Sequence, residues 1–102
     1  MSEKKPSVHY INYLELDKIL NAQNPLSGNG KEAAHDEMFF IIIHQTYELW
    51  FKQIIHEIDS IMDLFKKEKI DEENIGLIVS RIERVNKILQ ILVQQIDVLE
   101  TM

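Results

Sequence analysis

One histidine stands inside the most apolar stretch of the chain. Met38-Phe39-Phe40-Ile41-Ile42-Ile43-His44-Gln45-Thr46-Tyr47-Glu48-Leu49-Trp50 is dense in aliphatic and aromatic side chains, and His44 lies in its middle. Phe40 and His44 are four residues apart, a spacing that stacks two side chains on one helical face. An imidazole beside an aromatic edge, set in an apolar wall, positions and selects a flat heteroaromatic ligand. A core histidine bonded to a carbonyl is the plainer reading, and both stay open at this point. His44 and Glu48 also stand four apart, which raises metal binding. Di-iron bundles, however, use Glu-x-x-His from two helices plus two further carboxylates, and that set does not occur here. No metal ligand is therefore assigned, and Glu48 is better placed to pair with Lys52 one turn on.

The other chemistry-bearing residues say less. His56-Glu57 and His35-Asp36-Glu37 read as solvated or helix-end groups, and His9 sits in a polar leader. Tyr10 and Tyr13, three apart with Leu14 next, either pack a first helix onto its neighbour or form an aromatic lid over a pocket or a neighbouring subunit. There is no glycine-rich phosphate loop, no G-x-S-x-G and no clustered Ser, His and Asp.

These residues need elements to hold them, and composition limits which. The 102 residues make one small domain at most, and 45% apolar content is enough for a globular core. A net charge of −6 repels phosphate backbones and anionic headgroups, so neither nucleic acid nor a membrane surface is expected as a partner. With no cysteine there is no disulfide scaffold, thiolate metal site or thiol nucleophile. The start, MSEKKPSVHY, has no apolar run behind its lysines, and Met38 to Ile43 is too short to span a bilayer. A soluble, cytoplasmic chain is expected.

The pattern of apolar residues predicts an all-α fold: a flexible leader over 1–9, a short helix, then a long antiparallel helical hairpin belonging to a larger bundle or oligomer. Tyr13, Leu16 and Leu20 predict the first helix, from Tyr10 to about Gln23, stopped by Asn24-Pro25 because the residue before proline is pushed out of the helical region. A loop runs to about Ala34, and Asp36 and Glu37 then fall in the first turn of a second helix reaching about Lys67. Its expected seam is Phe40, Ile43, Tyr47, Trp50, Ile54, Ile58, Ile61 and Phe65. The polar stretch Lys66 to Asn74 makes the turn, with Asp71 as N-cap of a third helix. There the seam reads Ile75, Ile78, Ile82, Val85, Leu89, Leu92, Ile96 and Leu99, with Ile88, Ile91 and Val98 in a second row. So wide a stripe exceeds what one antiparallel neighbour covers. The end, Leu99-Glu100-Thr101-Met102, carries no helix-stop signal, so the chain is expected to be the N-terminal piece of something longer, cut at 102.

Four blocks then carry a resemblance. Tyr10-x-x-Tyr13-Leu14-x-Leu16-Asp17, Ala22-Gln23-x-Pro25-Leu26-Ser27, His35-Asp36-Glu37-Met38-x-Phe40-Ile41-Ile42-x-His44-Gln45 and Glu48-Leu49-Trp50-Phe51-Lys52 closely resemble the N-terminal part of the tryptophan 2,3-dioxygenase family. The likeness runs from Tyr10 to Thr101, loosely in the loop after Ser27 and in the third helix. It implies a haem-iron oxidoreductase of tryptophan catabolism, on the kynurenine pathway. Such an enzyme inserts O2 across the indole C2–C3 bond of L-tryptophan to give N-formylkynurenine, as a mostly helical homotetramer. By resemblance, His44 meets the indole N–H on the distal side, Phe40 and Ile41, Ile42 and Ile43 line the substrate, and Tyr10, Tyr13 and Leu14 reach into a neighbouring subunit's pocket. The haem ligand and the arginine that receives the substrate carboxylate have no counterpart before Met102, so the segment alone is expected to be inactive. The alternative expectation is a non-catalytic helical module that self-associates through its exposed stripes.

Overall fold

The computed structural model describes residues 9–28 and 32–102. Most of the expected leader, and Asn29 and Gly30 of the expected loop, lie outside them. Among the described residues every regular element is an α-helix: α1 (Tyr10–Tyr13), α2 (Leu16–Ile19), α3 (Glu32–Phe65) and α4 (Glu72–Leu99). The all-α architecture and the long α3–α4 hairpin are as the periodicity predicts. The chain divides into two compact units, residues 1–42 and 43–102.

In the first unit the expected single helix from Tyr10 to Gln23 is two separate turns. Leu14 N–H closes α1 on the Tyr10 carbonyl at 3.1 Å, and Glu15 then takes a left-handed conformation at φ 53°. Its carbonyl restarts the helix by accepting from Lys18 and Ile19 N–H at 3.0 and 3.1 Å. A left-handed non-glycine residue costs about 1 kcal/mol, and nothing in its residue type announces it. Side-chain amides then satisfy α2 carbonyls, Asn21 Nδ2 donating to Asp17 at 2.7 Å and Gln23 Nε2 to Ile19 at 3.0 Å. The third helical segment starts earlier than expected. Glu32 to Ala34 are already helical, so Asp36 and Glu37 lie in the second turn of α3 rather than the first.

The second unit holds the hairpin, made by α3 from Ile43 onward and by the 28-residue α4, which is about 42 Å long at 1.5 Å per residue. Asp71 caps α4 as expected, accepting from Asn74 N–H at 2.9 Å, with Glu72 and Glu73 in the first turn where the dipole favours them. The stripe of α3 turned inward is Ile43, Tyr47, Trp50, Ile54, Glu57, Ile61 and Leu64, all buried or half-buried. It follows the expected seam from Ile43 to Ile54, then takes Glu57 and Leu64 in place of Ile58 and Phe65, which are exposed, as is Phe40 at the head of that seam. The inward stripe of α4 is Asn74, Ile78, Arg81, Val85, Ile88, Leu92, Gln95 and Leu99. Ile75, Ile82, Leu89 and Ile96 of the expected seam lie exposed on another face. Ile61, Leu64 and Ile78 form a buried cluster near the turn, and Tyr47 Oη donates to the Leu92 carbonyl at 2.8 Å across the hairpin.

Glu57 is the polar pin of this interface, not the solvated residue expected. Its carboxylate is 4% exposed and accepts from Arg84 Nη1 at 2.8 Å and Gln53 Nε2 at 2.7 Å. The Arg84 guanidinium holds the Glu57 carboxyl below the ordinary glutamate range, against the opposing effect of burial. A carboxyl depressed in the folded state contributes stability that is present above the unfolded-state value and lost as pH falls through the folded one. The hairpin therefore loses stability in acid below the ordinary carboxylate range, and Glu57→Gln flattens that part of the profile. Urea midpoints measured from pH 7 down to pH 3 check this, and parallel curves for the two proteins would contradict it.

Candidate functional site

The continuous helix α3 carries the residues singled out for substrate contact. Phe40 is 47% exposed, Ile42 and His44 are exposed, Ile41 is half-buried, and Ile43 is buried in the hairpin seam. Within this chain, then, His44 is on the surface. A heptad-like run that commits Ile43 inward turns the residues one position away outward, which is why Ile42 and His44 flank it on accessible surface.

Tyr10 and Tyr13 are each 73% exposed on α1, and Leu14 is exposed beside them. Two tyrosines left open on a single helical turn are not packing that turn onto a neighbour within the described residues. Apolar clusters of this sort mark contact surfaces. An open groove runs along the hairpin itself, lined by Thr46, Leu49, Trp50, Gln53, Arg84, Lys87, Ile88 and Ile91. It holds none of the expected site residues.

Glu37, expected as a solvated or helix-end residue, makes contacts that sequence reasoning did not foresee. Its Oε2 accepts from Leu26 N–H at 2.9 Å, and its Oε1 from Ser27 N–H at 2.8 Å and from the Ser27 hydroxyl. The hydroxyl first, then the two amides, hold the Glu37 carboxyl below the ordinary glutamate range. The contact ties the Pro25-Leu26-Ser27 block to the His35-Asp36-Glu37 block across ten residues. A polar contact of that separation has no periodic signature; the clue was a carboxylate placed after a turn rich in free amides.

Among the described residues no three of His, Cys, Asp and Glu converge to hold a metal ion. One pair at Glu-x-x-His spacing does occur, Glu32 and His35, where a di-iron centre needs two. His9, His35, His44 and His56 are all exposed, and no histidine lines the groove.

The family model described as tryptophan 2,3-dioxygenase matches residues 1–102. A tryptophan 2,3-dioxygenase of Bdellovibrio bacteriovorus is 52% identical over 99 residues, covering 97% of this chain and 28% of the relative. One of Anopheles gambiae is 55% identical over 93 residues, covering 91% of this chain and 24% of the relative. Tryptophan 2,3-dioxygenase B of Danio rerio is 52% identical over 99 residues, 96% of this chain and 24% of that protein. The chain spans about a quarter of the length of these relatives. No described helix is long and apolar enough to cross a membrane. With the family model matching from end to end and relatives at 52 to 55% identity over most of its length, the chain belongs to the tryptophan 2,3-dioxygenase family.

Proposed function

We propose that this chain is the N-terminal part of a haem-dependent tryptophan 2,3-dioxygenase, which adds both atoms of O2 across the indole C2–C3 bond of L-tryptophan to give N-formylkynurenine. The reaction opens tryptophan catabolism on the kynurenine pathway, and the enzyme is a cytoplasmic homotetramer. The haem is held by residues of the whole enzyme outside those described here. The observation that carries the reading is the accessible surface of α3, where Phe40 and His44 are exposed while Ile43 is buried.

The work assigned to this segment is binding and orientation. Phe40, Ile41 and Ile42 supply the apolar wall for the indole, with Ile43 supporting it from the buried side. His44 accepts the indole N–H and fixes which edge of the ring faces the oxygen chemistry, and removing orientational freedom in this way lowers the barrier. Tyr10, Tyr13 and Leu14 close over the pocket of a neighbouring subunit and keep water out. Homo-oligomer formation is further supported by the exposed apolar stripe Ile75, Val79, Ile82, Leu89, Val93 and Ile96 on α4.

The test is an assay of the full-length, haem-loaded protein with L-tryptophan and O2. N-formylkynurenine forms with the whole enzyme and not with residues 1–102 mixed with haemin. A folded, haem-loaded full-length protein that makes no product would overturn the reading. The α4 stripe would then favour the alternative, a self-associating helical module without catalysis.

A further inference from the structure

We propose that Glu37 is a positioning residue of this dioxygenase: by binding the Leu26–Ser27 turn at the head of α3, it sets where the lid segment bearing Tyr10, Tyr13 and Leu14 departs from the substrate helix. The inference rests on the dioxygenase reading for its consequence, and on the geometry of one carboxylate for its cause.

Both oxygens of Glu37 are engaged, and all three donors come from two adjacent residues, Leu26 and Ser27. The turn they belong to is largely open to solvent, with only Pro25 half-buried. Leu26 is 95% exposed, Ser27 and Gly28 are exposed, and Gly28 sits at φ 91°, where a side chain would be strained. Charge-assisted hydrogen bonds, stronger than neutral ones, tie this exposed turn to Glu37. Upstream, α1 and α2 are single turns with no buried residue, so they inherit their placement from their attachment. Downstream, Phe40 stands three residues from Glu37, on the same side of the helix. One carboxylate thus joins the base of the lid to the first residue of the substrate wall, all within residues 1–42.

The chemistry of the side chain matters to this role. Glutamine keeps one acceptor oxygen and presents an NH2 to amides that need an acceptor, so it preserves part of the tie. Alanine removes it. Ser27→Thr keeps the hydroxyl and Ser27→Ala loses it, which separates that bond from the two backbone bonds.

The experiment uses the full-length enzyme and two readouts. In hydrogen exchange, Glu37→Ala raises the exchange rate of the Leu26 and Ser27 amides by about tenfold or more, with Glu37→Gln between it and wild type. In steady-state kinetics, Glu37→Ala raises KM for tryptophan about fivefold or more while kcat stays within about twofold, because the lid and not the reacting edge is displaced. Ser27→Ala shifts KM in the same direction, and Ser27→Thr restores it. Unchanged exchange at Leu26 and Ser27 would show that the tie is not made and overturn the proposal. Faster exchange with an unaltered KM would overturn it too, by showing that the tie shapes the turn without placing the lid. A wild-type enzyme that does not turn over tryptophan would refute the dioxygenase reading, and with it the lid, independently of the exchange result.

Discussion

His44→Ala in the full-length enzyme lowers kcat/KM for tryptophan by about ten- to a hundredfold and leaves the haem content unchanged. The magnitude is that of one positioning hydrogen bond together with the orientation it enforces. Haem is retained because His44 is an exposed residue of α3 assigned to the substrate and not to iron. Phe40→Ala acts in the same direction by opening the wall beside it, chiefly through KM. Kinetics paired with the haem absorption spectrum check both effects. Loss of haem from His44→Ala would mean that the imidazole had been given the wrong task.

Ile88→Ala costs about 3 kcal/mol of stability, the usual range for deleting a buried aliphatic side chain and leaving a cavity. Ile88 is 4% exposed and stands between Val85 and Leu92 on the inward stripe of α4. Few apolar side chains of the hairpin are buried that deeply, so each carries a large share of a small margin. Ile96, on the outer stripe and 52% exposed, is the control: in the isolated chain Ile96→Ala costs under about 1 kcal/mol. Urea titrations of residues 1–102 followed by circular dichroism measure both. Equal costs would show that the inward and outward stripes of α4 have been assigned to the wrong faces.

That pair of positions also shows what sequence could and could not reveal. Helix class, the hairpin and the Asp71 cap were legible, because a long 3-4 repeat and an acidic N-cap followed by Glu72 and Glu73 have few other solutions. The identity of the inward stripe was not. Following apolar residues alone led from Ile54 to Ile58, whereas an unbroken 4-3 alternation from Ile43 lands on Glu57, where Arg84 waits across the hairpin. On α4 the inward stripe passes through Asn74, Arg81 and Gln95, and a purely apolar count slid one residue to Ile75, Ile82 and Ile96. Polar residues admitted to an interface, and apolar ones held out for a second interface, both defeat such a count.

The candidate site rests on a different kind of reading. Periodicity placed Phe40 and His44 on one face but left open whether that face was core or pocket; resemblance supplied the roles. The break at Glu15 escaped notice because a left-handed glutamate looks like any other glutamate. Glu37 escaped because its partners lie ten and eleven residues away, joined by polar groups alone.

The most direct test of the indole-orienting role of His44 uses a substrate that cannot make the bond. N1-methyltryptophan keeps the ring and the amino-acid group but has no indole N–H to donate. Wild-type full-length enzyme is expected to prefer tryptophan over the N1-methyl analogue by about tenfold or more in kcat/KM, and His44→Ala to reduce that preference severalfold. If the preference is the same in both proteins, His44 does not receive the indole N–H, and the account of this helix as the substrate-orienting wall is wrong.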